Sequence, residues 1–184
     1  MRNKIQASLD VLKILNILFI VASVVICSIL MLLHIPGMEL LEANPNWLLI
    51  WVVGWSIKRN VWQGAIAGLI MGWIYDGMTS SSPSHAFSLV LVGVFTSSLQ
   101  KQKYIGEDFI SVAFIVFFMT VLAETVFAFQ YARQHFLLMS EVWQQYQQIV
   151  ITSAIITSLW SPAFYYPFNF WQERVKQLEK RVKS

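Results

Sequence analysis

The sequence predicts an all-α integral membrane protein with six transmembrane helices and cytoplasmic N- and C-termini. Three observations predict it. The 184 residues are 57% hydrophobic and only 12% charged, where a soluble domain carries about 25% charged residues. The charges avoid long apolar windows, as in a chain that crosses a bilayer repeatedly. Once six spans are drawn, the basic residues fall almost entirely on one side. There is no internal repeat and no low-complexity stretch. The chain reads as a single membrane domain over 1–184, closed by a basic amphipathic cytoplasmic helix at 169–184.

Span one is residues 11–33. The segment before it is basic, as in a signal peptide. The apolar run is longer than a typical signal core and no small-x-small cleavage site follows, so it reads as an uncleaved span. Pro36-Gly37 breaks the loop that comes next. Asn44-Pro45 predicts a helix start, with Asn as the cap and Pro at the first helical position. Span two, 46–57, measures about 18–20 Å against a hydrocarbon core of about 30 Å. It carries Trp47, Trp51 and Trp55 at i, i+4 and i+8, and Lys58-Arg59 closes it. Span three is 60–78. TSSSPSH supplies the chemistry of a turn, and span four is 85–99. QKQKYIGED links to the Phe-rich span five, 108–130. Residues 132–148, with Phe136, Leu137, Met139, Val142 and Trp143, predict an amphipathic helix on the membrane surface. Span six is 149–168, with Pro162 and Pro167 near its end.

Counting charges orients the chain. With six spans and the N-terminus inside, the inner segments hold Arg2, Lys4, Lys13, Lys58, Arg59, Lys101, Lys103, Arg174, Lys176, Lys180, Arg181 and Lys183, twelve of the thirteen basic residues; only Arg133 is outside. If short span two were re-entrant, four would lie inside and nine outside. Positive-inside bias selects the first arrangement. The net charge of +3 is therefore spread as short flanking groups on the inner face, which excludes a nucleic-acid-binding surface. Cys27 is the one cysteine, so no internal disulfide forms.

Span three holds the most informative row. Gly64, Gly68 and Gly72 recur every fourth residue, and Asp76 takes the next step. An i+4 step advances about 40° beyond a full turn, so the four residues make one slanting ridge. Its glycines let another helix approach the backbone, either within this bundle or from another protein. Ser153, Thr157 and Ser161 repeat at i+4 on span six and offer a matching row of small hydroxyls, which favours an internal contact.

Asp76 and Glu124 are the acids within the spans, each about 24 Å along its helix and so at similar depth in the outer half. A proton, ion or partner site is one reading, since intramembrane acids are costly. The other places Asp76 among the headgroups and leaves Glu124 protonated or bonded to hydroxyls. His34, His85 and His135 lie in separate outer loops without ligand spacing, so they read as interfacial histidines and no metal site is expected. The Trp47/Trp51/Trp55 stripe reads as lipid-facing or packing surface. In the tail, Trp171, Val175, Leu178 and Val182 form an apolar stripe flanked by Arg174 and Arg181. That face is either an anchor on the anionic inner leaflet or a handle for a cytoplasmic partner. HExxH, GxSxG, P-loop and Gly-rich nucleotide motifs are all missing. The residues alone thus describe a small six-helix membrane protein, with no enzyme activity and no cofactor expected.

The order of features adds a resemblance. Pro45 opens a short Trp-rich span, Lys58-Arg59 follow, then AGLIMGWIYDGM, a turn with Pro83, and His85-Ala86 leading into the next apolar span. This resembles the MreD family of bacterial rod shape-determining membrane proteins, whose pattern is a Gly-Leu-rich helix ending in Gly-x-x-x-Asp, then a turn and an apolar span. Gly68, Gly72 and Asp76 match that motif; Pro83-Ser84 stands where the family commonly has Leu-Gly. The resemblance implies a non-catalytic part in the elongation (rod) complex that builds lateral peptidoglycan, in the bacterial cytoplasmic membrane. It implies association with MreC and, through the complex, with the MreB filament, the RodA glycosyltransferase and a class B penicillin-binding protein, besides membrane lipids. It also implies a fold similar to the substrate-binding subunits of energy-coupling-factor transporters. The alternative function is therefore a small-molecule-binding transporter subunit. Such subunits carry Ala-x-x-x-Ala in span one, where this chain has only Ala22.

Overall fold

The computed structural model describes residues 2–33, 43–79, 82–99, 109–136 and 139–183. Its helices are α1 (Arg2–Leu32), α2 (Trp47–Ser56), α3 (Val61–Thr79), α4 (His85–Leu99), α5 (Phe109–Gln134) and α6 (Met139–Lys183). His34, the Pro36-Gly37 break, Leu137 and the 100–108 link with Lys101 and Lys103 lie outside the described residues, as does the side chain of Val182. Among the described residues, three segments are long and apolar enough to cross a membrane: Leu9–Leu32, Ile110–Gln134 and Tyr146–Leu178. The helices α2 and α4 are shorter, and α3 has 19 residues. By length and apolarity the structure supports three of the six expected spans.

The short α2 is the centre of the bundle and packs against all five other helices. Its sequence, WLLIWVVGWS, is apolar all the way round, the pattern of a helix with no solvent-facing side. Trp47, Leu48, Leu49, Ile50, Trp51, Val52 and Val53 are all buried. A helix sheathed by its neighbours need not match the bilayer thickness, which accounts for its length. The tryptophan stripe is accordingly core packing. Trp51 stacks on Trp55 with ring centroids 5.4 Å apart, and Trp47 meets Trp160 of α6 at 6.1 Å. The Trp51 indole N–H donates to Ser23 Oγ of α1 at 2.8 Å, so the polar handle of a buried ring is satisfied.

Asn46, rather than Asn44, caps α2. Its side-chain oxygen accepts from the Leu49 N–H at 3.0 Å, and its own N–H donates to Thr157 Oγ1 of α6 at 3.1 Å. A buried helix start needs such partners because its first N–H groups have none within the helix.

The expected surface helix over 132–148 does not form as a separate element. Its first residues finish α5 and its last ones begin α6, on either side of a turn at His135-Phe136. Across the turn the two helix ends pack on each other: Ala128 and Ala132 of α5 are buried with Val142 of α6, and Tyr131 lies against Tyr146. Of the stretch's larger apolar residues Val142 is buried, whereas Phe136 and Trp143 remain exposed.

Helix α6 runs for 45 residues through Pro162 and Pro167 into the basic tail without a break. Proline removes the N–H that would bond the carbonyl four residues earlier. For Pro162 that carbonyl is Ser158, and it accepts from Ser161 Oγ at 2.8 Å instead. Near the other end of the helix, Lys58 Nζ meets Glu173 Oε1 at 3.0 Å and pins the α2–α3 turn to α6.

Candidate functional site

The closest helix pair is α3 with α4, and the glycine row makes it so. A Cβ at Gly64 would overlap the Gly93 carbonyl and the Ser97 hydroxyl; at Gly68, the Leu89 carbonyl; at Gly72, the Ala86 Cα. Gly93 returns the contact, since a Cβ there would overlap the Gly64 carbonyl. The two backbones therefore touch over several turns, as small-residue rows allow. The row packs on α4 and not on span six, which corrects the expected pairing. The physical reason is that α4 carries its own small-residue face, Ala86, Gly93 and Ser97. The hydroxyl row on α6 serves other ends: Ser153 donates to Glu124, Thr157 accepts from Asn46, and Ser161 stands in for the missing Pro162 N–H.

Asp76, one step beyond Gly72, closes the same helix pair. Its Oδ1 accepts the His85 backbone N–H at 2.7 Å and lies 3.1 Å from His85 Nδ1. Its Oδ2 accepts from the Ser84 hydroxyl, and Ser84 Oγ in turn accepts the Ala86 N–H at 3.1 Å. Asp76 and Ser84 together cap α4, supplying acceptors to its first N–H groups. Thus the glycines bring the helices together and the acid fastens the end of the pair. Asp76 is thus not an open acid: both of its oxygens are engaged at the start of α4.

His85 carries the arrangement further. Its ring lies between Tyr75, at 3.9 Å, and Phe127 of α5, at 4.3 Å. Glu124, one turn before Phe127, accepts from Ser153 Oγ of α6 at 3.3 Å. At this end of the bundle α3, α4, α5 and α6 are joined through Asp76, Ser84, His85, Glu124 and Ser153. Part of this is legible locally, since Ser84 stands directly before an apolar run. The clamping of the His85 ring between two aromatics is not, because Phe127 is far along the chain.

Asp76→Ala is expected to loosen the α3–α4 hairpin by about 1–3 kcal/mol, from the lost cap and the unpaired N–H. Asp76→Asn keeps one acceptor oxygen and is expected to lose less. Thermal unfolding of the purified variants checks the order; equal midpoints for Ala, Asn and wild type would remove the capping role.

The tail face is only half free. Trp171 stacks on Phe19 of α1 at 4.8 Å, and Val175 is buried. Arg174 lies over the Phe170 ring at 4.7 Å, while Leu178 and Arg181 are exposed. The apolar stripe expected to meet lipid or a partner is therefore partly spent on α1. Among the described residues no three His, Cys, Asp or Glu side chains come together, so they offer no metal-ligand set.

A family model described as rod shape-determining protein MreD matches residues 12–168, from α1 through most of α6. No curated protein and no solved structure gives a match.

Proposed function

The chain belongs to the MreD family of rod shape-determining proteins, and from that premise we propose that it is a six-span scaffold of the cell-elongation complex. It sits in the bacterial cytoplasmic membrane with both termini inside, and it acts without catalysis. It binds MreC and, through the complex, is linked to the MreB filament, the RodA glycosyltransferase and a class B penicillin-binding protein.

The observation that carries this reading is what the family motif does in this chain. Gly68, Gly72 and Asp76 are spent on backbone contact and on capping α4. A motif built for rigidity fits a part that holds others in place. The faces left open are apolar: Trp62, Ile66, Ile70 and Trp73 are exposed on the side of α3 away from α4, available to lipid or to a partner helix. Co-purification from crosslinked membranes tests the proposal. MreC is expected with the chain, with crosslinks on the outer loops or on these open helix faces. Recovery of the chain without MreC or any other elongation component would overturn it.

A further inference from the structure

Where α1, the α2–α3 turn and the last turns of α6 meet, a polar cavity of about 240 Å³ is lined by Asn16, Arg59, Gln172, Val175 and Lys176. Gln172 is only 7% exposed, and its amide Nε2 is buried without a hydrogen-bond partner. A buried donor left open carries its full desolvation penalty unless a ligand accepts from it. Around it the charge is cationic. Arg59 lies 4.4 Å over the Trp55 ring, and among the described residues no carboxylate pairs with it. Glu173 is the nearby acid, and it is shared between Lys58 at 3.0 Å and Lys176 at 3.5 Å. On α1, Lys13 is already paired with Asp10 at 3.7 Å.

One turn further into the bundle, on the same two helices, an apolar groove of about 260 Å³ is lined by Phe19, Ala22 and Ile26 of α1 and Phe164, Pro167 and Phe168 of α6. The two hollows follow each other along antiparallel helices: Asn16 to Phe19 on one side, Gln172 to Phe168 on the other. A donor-rich cationic mouth continued by a narrow apolar groove is the shape of a lipid with an anionic head.

We infer that this cleft is a binding site for one anionic phospholipid: its phosphate is received by Arg59, Lys176 and the Gln172 amide, and an acyl chain lies in the α1–α6 groove. The phosphate supplies the acceptor that Gln172 lacks, a counter-charge for Arg59, and a second one for Lys176, which shares the single Glu173 carboxylate with Lys58. Gln172, Val175 and Lys176 lie beyond the residues that the family model matches. The site is also independent of the scaffold role, so its test can fail while that role stands.

The test uses the full chain in neutral detergent, stripped of lipid. It is titrated with phosphatidylglycerol, phosphatidylcholine or inorganic phosphate, and complexes are counted by native mass spectrometry. One phosphatidylglycerol is expected to bind about tenfold more tightly than phosphatidylcholine, and inorganic phosphate at millimolar concentration is expected not to displace it. The double variant Arg59→Gln/Lys176→Gln is expected to lose about tenfold or more of that affinity, whereas Lys180→Gln/Arg181→Gln, which removes the same charge further along α6, changes it less than about twofold. Ala22→Phe fills the groove and is expected to weaken both lipids while leaving the lipid-free unfolding midpoint in place. Equal binding of the two lipids, or equal losses in the two double variants, overturns the site. Displacement by inorganic phosphate alone overturns the lipid assignment in favour of a free-anion pocket.

Discussion

Gly68→Leu is expected to abolish the folded bundle. A Cβ at position 68 would meet the Leu89 carbonyl, its carbon and the Val90 Cα, all backbone atoms. Backbone cannot step aside by changing rotamer, so the helices themselves must separate. Even Gly68→Ala is expected to cost about 1–3 kcal/mol, the usual range for forcing extra volume into a packed contact. Leucine adds three further carbons in the same place. Separation would also open the Gly64 and Gly72 contacts and draw Asp76 away from the start of α4. The measurement is size-exclusion chromatography of the detergent-purified protein, and Gly77→Leu is the control. A Cβ at Gly77 has nothing within 4 Å, so that variant is expected to stay monodisperse. A Gly68→Leu protein as well behaved as Gly77→Leu would show that α3 and α4 do not touch in this way.

Asn46→Ala is expected to cost about 1–3 kcal/mol, lost through an unpaired N–H at a buried helix start. The α2 N-terminus lies inside the bundle, so water does not replace the missing acceptor for Leu49 as it would on a surface helix. The Asn46 N–H to Thr157 bond survives the change. Thr157→Val removes that bond in turn, and the double variant is expected to fall short of additivity because both groups anchor one helix end. Asn44→Ala serves as the comparison and is expected to change stability little. Equal shifts in unfolding midpoint for Asn44→Ala and Asn46→Ala would contradict the capping assignment.

The contrast between these asparagines shows how far the sequence could be read. Asn-Pro is a good helix start by local rules, yet the chain places the cap two residues later, where Thr157 of α6 waits to receive it. That partner is 111 residues away, beyond the reach of local pattern. The glycine row was legible as a close contact because its i+4 spacing is a property of one helix. Its partner was not, since α4 and α6 both present small residues and only the tertiary arrangement chooses between them. Likewise Trp47, Trp51 and Trp55 were visible as a stripe, but a short, wholly apolar helix can face lipid or be sheathed by protein. The polar cleft by Gln172 left no sequence signal at all: its lining comes from α1, the α2–α3 turn and α6, and none of those residues is unusual where it stands.

The role in cell shape rests on one question that a depletion experiment answers most directly. The chain is depleted in its own host while cell outline is imaged, and wild type or Gly68→Leu is supplied from a second copy. Depleted cells are predicted to lose their rod form and round up, with recovery by wild type and none by Gly68→Leu. Unchanged outline on depletion, with uptake of a vitamin lost instead, would contradict the scaffold role and assign the chain to a transporter.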